Sequence, residues 1–169
     1  PVKYLWKGGL LAGALNLLAG KPGMGKSSFT YNLAADVTRG VVKGDFFGQP
    51  GVVIICSTED SDEKVILPKL RAANADLTRV RGVKVDSMFH FPEDYDKVRK
   101  VVDSFGGQVR LIILDPLVNR ISAELNAHKD KDVRQALEPF QTLAEDFNLS
   151  VLGIVHNNKA TDQDPLYSI

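Results

Sequence analysis

The chain has 169 residues, 44% hydrophobic and 25% charged, with Lys+Arg 21 against Asp+Glu 21 for a formal net charge of +0. That mixture describes a globular chain long enough to bury a core and excludes a disordered one, while the charge balance excludes an overall polycation and leaves nucleic-acid contact to local patches. A single cysteine excludes an intrachain disulfide framework, and no apolar run nears the roughly 20 residues of a membrane span, so we expect one soluble, cytoplasmic domain with no membrane partner and no signal peptide.

Strand-like and helix-like stretches alternate along the chain. Ala14–Ala19 is a short apolar run ended by Gly20, and a helix is expected from Ser27 to Arg39, closed by Gly40. Val52–Cys56 is β-branched, follows Gly51 and reads as a buried strand. Ser61, Asp62 and Glu63 suit the start of a helix running to about Ala73, with a kink expected at Pro68. A short strand is expected at Met88–Phe91, then a helix from about Asp94 to Phe105 and a buried strand at Leu111–Leu114. Asn119–Lys131 is polar and aperiodic, the pattern of a long loop, and loops of that length are usually functional or disordered. From Asp132, Val133, Leu137, Phe140, Ala144 and Phe147 recur at helical spacing, and Val151–Val155 is the last expected strand. Apolar strands alternating with helices predict an α/β fold with a mainly parallel sheet covered on both faces. No internal repeat or low-complexity linker divides the chain.

The most specific signal is Gly20-Lys21-Pro22-Gly23-Met24-Gly25-Lys26-Ser27, which fits G-x-x-x-x-G-K-[ST] between an expected strand and an expected helix. Glycines let the backbone wrap a phosphate, and successive N–H groups at a helix start supply donors and positive partial charge. Pro22 has no N–H, so the donors fall to Gly23, Gly25, Lys26, Ser27 and Ser28. Lys26 would reach the β- and γ-phosphates of ATP, and the Ser27 hydroxyl would hold Mg²⁺. Asp115, ending an apolar strand, would be the second Mg²⁺ contact, through water; a lone aspartate there is otherwise a turn residue.

Pro116 follows Asp115, where many P-loop motors carry a water-activating glutamate. Glu59, just past the strand expected beside that of Asp115, is the candidate catalytic carboxylate, its alternative reading being helix-start charge. His156 ends the final strand and is a candidate γ-phosphate sensor, or else a surface histidine. His90 and His128 have no partners at ligand spacing, and Cys56 falls inside a buried strand, where packing is the expected role. Tyr4 and Trp6 precede the first strand and are expected to pack on the core rather than cover a base.

Leu17–Ser28, Ser57-Thr58-Glu59-Asp60, Leu111–Leu117 and His156-Asn157-Asn158-Lys159, in that order, resemble RecA-like P-loop ATPases, and within them the plasmid RepA-type branch of hexameric replicative helicases related to DnaB. The resemblance implies a three-layer ASCE-type P-loop NTPase core in which the strand ending at His156 lies between the P-loop strand and the strand ending at Asp115. It implies a cradle of Gly20, Gly23, Met24, Gly25, Lys26, Ser27 and Ser28, with Glu59, Lys26 and His156 as catalytic residues and Ser27 and Asp115 at the metal. It further implies a homo-hexamer of bacterial, phage or mobile-element origin. Two loops would contact single-stranded DNA, with Arg120, Lys129, Lys131 and Lys159 as their cations. Relatives continue with strands carrying an arginine that reaches a neighbour's site, whereas this chain ends first, so the expectation is a core truncated at its C-terminal end, with slow turnover. Two other functions fit a P-loop: a regulatory oligomeric ATPase switch that does not move on DNA, mildly favoured by the neutral charge, and a P-loop kinase, for which no arginine-bearing lid is present in the sequence.

Overall fold

The computed structural model describes residues 1–21, 23–57, 62–85, 93–115, 117 and 130–156. A hairpin of β1 (Tyr4–Trp6) and β2 (Leu10–Leu11) leads into β3 (Ala14–Gly20) and α1 (Lys26–Arg39). There follow β4 (Val52–Ser57), α2 (Asp62–Ala72), β5 (Val80–Lys84), α3 (Glu93–Ser104), β6 (Val109–Leu114), α4 (Asp130–Phe147) and β7 (Ser150–His156). Strands β3 to β7 form one five-stranded sheet in the order β3-β7-β6-β4-β5, and every pairing in it is parallel.

Period-two alternation divides the strand side chains between the two faces of this sheet. Ile54 and Cys56 of β4, Ile112 and Leu114 of β6, and Val151 of β7 pack with Val98 and Val102 of α3 and with Phe140, Leu143 and Ala144 of α4. Their neighbours Val53, Ile55, Leu111, Ile113, Leu152 and Ile154 pack on the other face with Leu33, Ala34 and Val37 of α1 and with Leu70 of α2. A helix layer on each face makes the fold a three-layer α/β sandwich, the architecture of a P-loop NTPase core. β7 pairs with both β3 and β6, so the strand leading to His156 lies between the P-loop strand and the strand leading to Asp115.

Several expectations need correction. β5 was not anticipated, because Arg81 and Gly82 interrupt its apolar run; it is an edge strand in which only Val83 is buried. The β1–β2 hairpin was also not anticipated, being too short to show a period, and it buries Leu5 and Leu10 against the α1 side of the core. Helix α4 begins at Asp130, so the last two residues of the expected loop, Asp130 and Lys131, are its first turn. That turn is polar, and apolar periodicity cannot report it. Asn119–Lys129 and the strand expected at Met88–Phe91 lie outside the described residues. Helix α2 runs through Pro68, and α4 contains Pro139, each of which removes one ladder N–H.

Candidate active site

All strands of a parallel sheet end at the same edge, so the carboxyl ends of β3, β4, β6 and β7 lie along it. Gly20 closes β3 in register with His156, the last residue of β7. Beyond Gly20, Gly23 (φ 82°) and Gly25 (φ 84°) take left-handed backbone conformations that side-chain-bearing residues adopt at a cost, and a Cβ at either would meet no atom within 4 Å. The demand for glycine is therefore conformational, and the space over the loop is open. Gly25 occupies the N-cap position of α1 with no side-chain cap, and no acidic residue sits in the first turn. An uncapped helix start leaves donors and positive partial charge for an anion.

Lys26 is only 8% exposed. Its Nζ donates to the Gly20 carbonyl at 2.5 Å and the Lys21 carbonyl at 2.8 Å, folding the ammonium back onto the mouth of the loop. An ammonium has three N–H donors, and these two acceptors are uncharged carbonyls, weaker partners than an anionic phosphate oxygen. Met24 stands at the loop apex, 73% exposed, and Ser27 and Ser28 are exposed on the first turn of α1. One turn on, the Thr30 hydroxyl donates to the Lys26 carbonyl at 2.7 Å and the Asn32 amide to the Ser28 carbonyl at 2.8 Å.

Asp115 follows β6 directly, and its backbone N–H donates to the Cys56 carbonyl of β4 at 3.3 Å. The Leu117 N–H donates to the Ile154 carbonyl of β7 at 2.8 Å, so the tip of β6 is tied to both neighbouring strands. Glu59 lies outside the described residues; β4, the strand before it, ends at Ser57 beside β6. His156 is placed by its backbone alone. Arg120, Lys129 and Lys159 lie outside the described residues, while Lys131 belongs to the first turn of α4. Trp6 packs on Phe29 of α1 with ring centroids 5.7 Å apart, a core role as expected, whereas Tyr4 is exposed, contrary to the expectation for it; Cys56 is buried.

Among the described residues no group of three or more His, Cys, Asp or Glu could enclose a metal. One hydroxyl and one carboxylate are nonetheless a fitting donor set for Mg²⁺, which prefers oxygen and keeps several waters beside substrate phosphates. The carbonyls of Gly20 and Lys21 that hold Lys26 are backbone groups, and no residue pattern announces them.

A family model described as the AAA domain matches residues 1–162. The chain belongs to the AAA domain family. AAA domains are P-loop ATPases that bind ATP with Mg²⁺, and the uncapped glycine loop with its buried lysine is the part of this AAA domain suited to the phosphates. No curated protein matches the chain. Among the described residues of the AAA domain, no helix is long and apolar enough to cross a membrane.

Proposed function

We propose that this AAA domain is the Mg·ATP-hydrolysing core of a replication helicase or a related DNA-dependent motor, working as a ring of identical subunits, six by the resemblance to RepA-type helicases. The observation that supports the reading is the strand order β3-β7-β6-β4, which sets the carboxyl ends of the strands that precede the P-loop and Glu59, and of those that lead to His156 and Asp115, along one edge of the sheet. Gly20, Gly23, Met24, Gly25, Lys26, Ser27 and Ser28 cradle the phosphates. Lys26 leaves its two carbonyl acceptors for the β- and γ-phosphates, exchanging neutral partners for anionic ones. Ser27 and Asp115 would hold Mg²⁺, which would supply positive charge to offset that of the phosphate oxygens. Glu59 orients and deprotonates the attacking water, and His156 registers the γ-phosphate from the tip of β7. The segments after β6 and β7 supply Arg120, Lys129, Lys131 and Lys159 to single-stranded DNA.

A second reading, an oligomeric ATPase switch that does not move on DNA, is favoured by the net charge of +0, which leaves no broad electrostatic footprint for nucleic acid. Steady-state ATPase with and without single-stranded DNA, across a salt series, separates the two. The motor reading expects stimulation by DNA that fades with salt, and an unstimulated ATPase with no DNA affinity supports the switch. Glu59→Gln should retain ATP binding and lose hydrolysis. Normal hydrolysis in that variant, together with loss in Asp60→Asn, would transfer the base role to Asp60.

A further inference from the structure

At the amino-terminal edge of the sheet, away from the P-loop, the turn that joins α1 to β4 folds against β1. The Lys7 N–H donates to the Lys43 carbonyl at 2.9 Å and the Asp45 N–H to the Tyr4 carbonyl at 2.8 Å, so residues 43–45 run antiparallel beside β1. The Tyr4 N–H in turn donates to the Asp45 carboxylate at 2.7 Å. Val2, Tyr4, Val41 and Phe47 are exposed on β1 and this turn, four of the seven large hydrophobic residues exposed among the described residues. Lys3, Lys7 and Lys43 are exposed with them, and Asp45 is the only acid in residues 1–11 and 41–51. We infer that this surface docks a segment of a partner protein that is acidic and carries aromatic or aliphatic residues. Tyr4 and Phe47 receive its apolar side chains, and Lys3, Lys7 and Lys43 its carboxylates. The inference goes beyond the ATPase reading and does not depend on it.

The surface is ordered by the fold. A Cβ at Gly44 would collide with the Leu5 carbonyl, so the turn closes on β1 only with glycine there. The adjacent phenylalanines are divided between two tasks. Phe46 packs on the α1 side of the core, with the Lys3 ammonium 5.9 Å and the Arg110 guanidinium 4.7 Å from its ring centroid. Phe47 stands 63% exposed. A ring held out to solvent by a fixed turn loses little freedom on binding, and aromatic residues are the usual anchors of interfaces. The charge selects the partner. Three lysines against one carboxylate, itself engaged by the Tyr4 N–H, make this surface basic on a chain of net charge +0 and complementary to an acidic segment. An anionic membrane is the poorer fit, because polybasic lipid sites gather about 4–8 lysines and arginines. Single-stranded nucleic acid is poorer too, because it needs rings for successive bases, and Val2 and Val41 offer none.

The test is a selection from a displayed library of random peptides against the protein, followed by fluorescence anisotropy of the most enriched peptide. Enriched sequences should combine Asp or Glu with Phe, Trp, Leu or Ile, and the affinity should fall as salt rises. Phe47→Ser should weaken the peptide at least about tenfold, and Lys43→Glu several-fold. Both side chains are exposed, so the Tm should not move; if one variant lowers it, the other decides. No enrichment, enriched peptides without acidic residues, or an affinity that neither variant changes overturns the inference. Vesicles of phosphatidylserine with phosphatidylcholine and a single-stranded oligonucleotide are titrated against the same variants. Tighter binding of either than of the peptide, lost in Phe47→Ser and Lys43→Glu, also overturns the inference, since it gives the surface to another class of partner.

Discussion

Gly40 sets the length of the helix that carries the P-loop. Its backbone is left-handed (φ 69°), its N–H donates to the Val37 carbonyl and the next N–H, from Val41, to the Asp36 carbonyl, the paired bonds of a Schellman ending. A Cβ at Gly40 would lie 2.6 Å from the backbone nitrogen of Pro50, which cannot swing away as a side chain can. Gly40→Ala should therefore cost about 1–3 kcal/mol through strain and overpacking, read as a lower urea midpoint at unchanged slope. Asp76 offers a second residue-scale test. Its carboxylate accepts from the Thr78 hydroxyl at 2.6 Å and the Thr78 N–H at 3.0 Å, and the hydroxyl bond is the main cause of a pKa below the ordinary 3.8. A lowered carboxylate pKa means stability present above pH 3.8 that is lost as the pH falls through the folded value. Carboxyl NMR titration should place the Asp76 midpoint below 3.8, and Thr78→Val should return it toward that value.

Helix α4 shows how an element is held by the sheet more than by its own ladder. Pro139 removes one of its hydrogen bonds, yet the helix covers the sheet through Phe140, Leu143 and Ala144, each at most 2% exposed. Leu143 is fully buried among residues of β4, β6 and β7, so Leu143→Ala should destabilise by roughly 2–5 kcal/mol, while Glu138→Ala on the exposed side should stay within about 0.5 kcal/mol. Urea denaturation of the two variants checks the contrast. β5 is held in the opposite manner. It pairs only with β4 and buries one side chain, Val83, so its place rests on backbone hydrogen bonds and not on an apolar pattern.

At the scale of the whole molecule, the proposed site draws on the ends of separate strands, and a ligand bridging them would stabilise the folded state alone. Mg·ATP at about 100 times its Kd adds roughly 2.7 kcal/mol, which for a chain of this size should raise the Tm by about 5–10 °C. Lys26→Ala should lose most of that rise while keeping the unliganded Tm close to that of the unaltered protein. Scanning fluorimetry with and without Mg·ATP reads both quantities. A full shift in Lys26→Ala would remove this lysine from the phosphate site.

The amino-acid sequence by itself determined the local pieces of this protein. The P-loop between strand and helix, the apolar runs 14–19, 52–56, 111–114 and 151–155 that form the middles of four strands, and the glycine that ends α1 are all written in short-range patterns, because turn chemistry and burial period act over a few residues. The strand order was legible only through resemblance to a family, since local pattern carries no record of which strands become neighbours. Tertiary structure decided the rest. β5 and the β1–β2 hairpin exist because neighbouring strands and the core supply what their own sequences lack in period. The Lys26 ammonium rests on the carbonyls of Gly20 and Lys21 because the loop folds back over the end of β3. A groove between Ser28 and Lys69 joins residues about forty positions apart in the chain. Only the packing of α2 against α1 brings them together, and packing of that range is set by the burial of Leu70 and Leu33 in a common core, a long-range contact that no local pattern encodes.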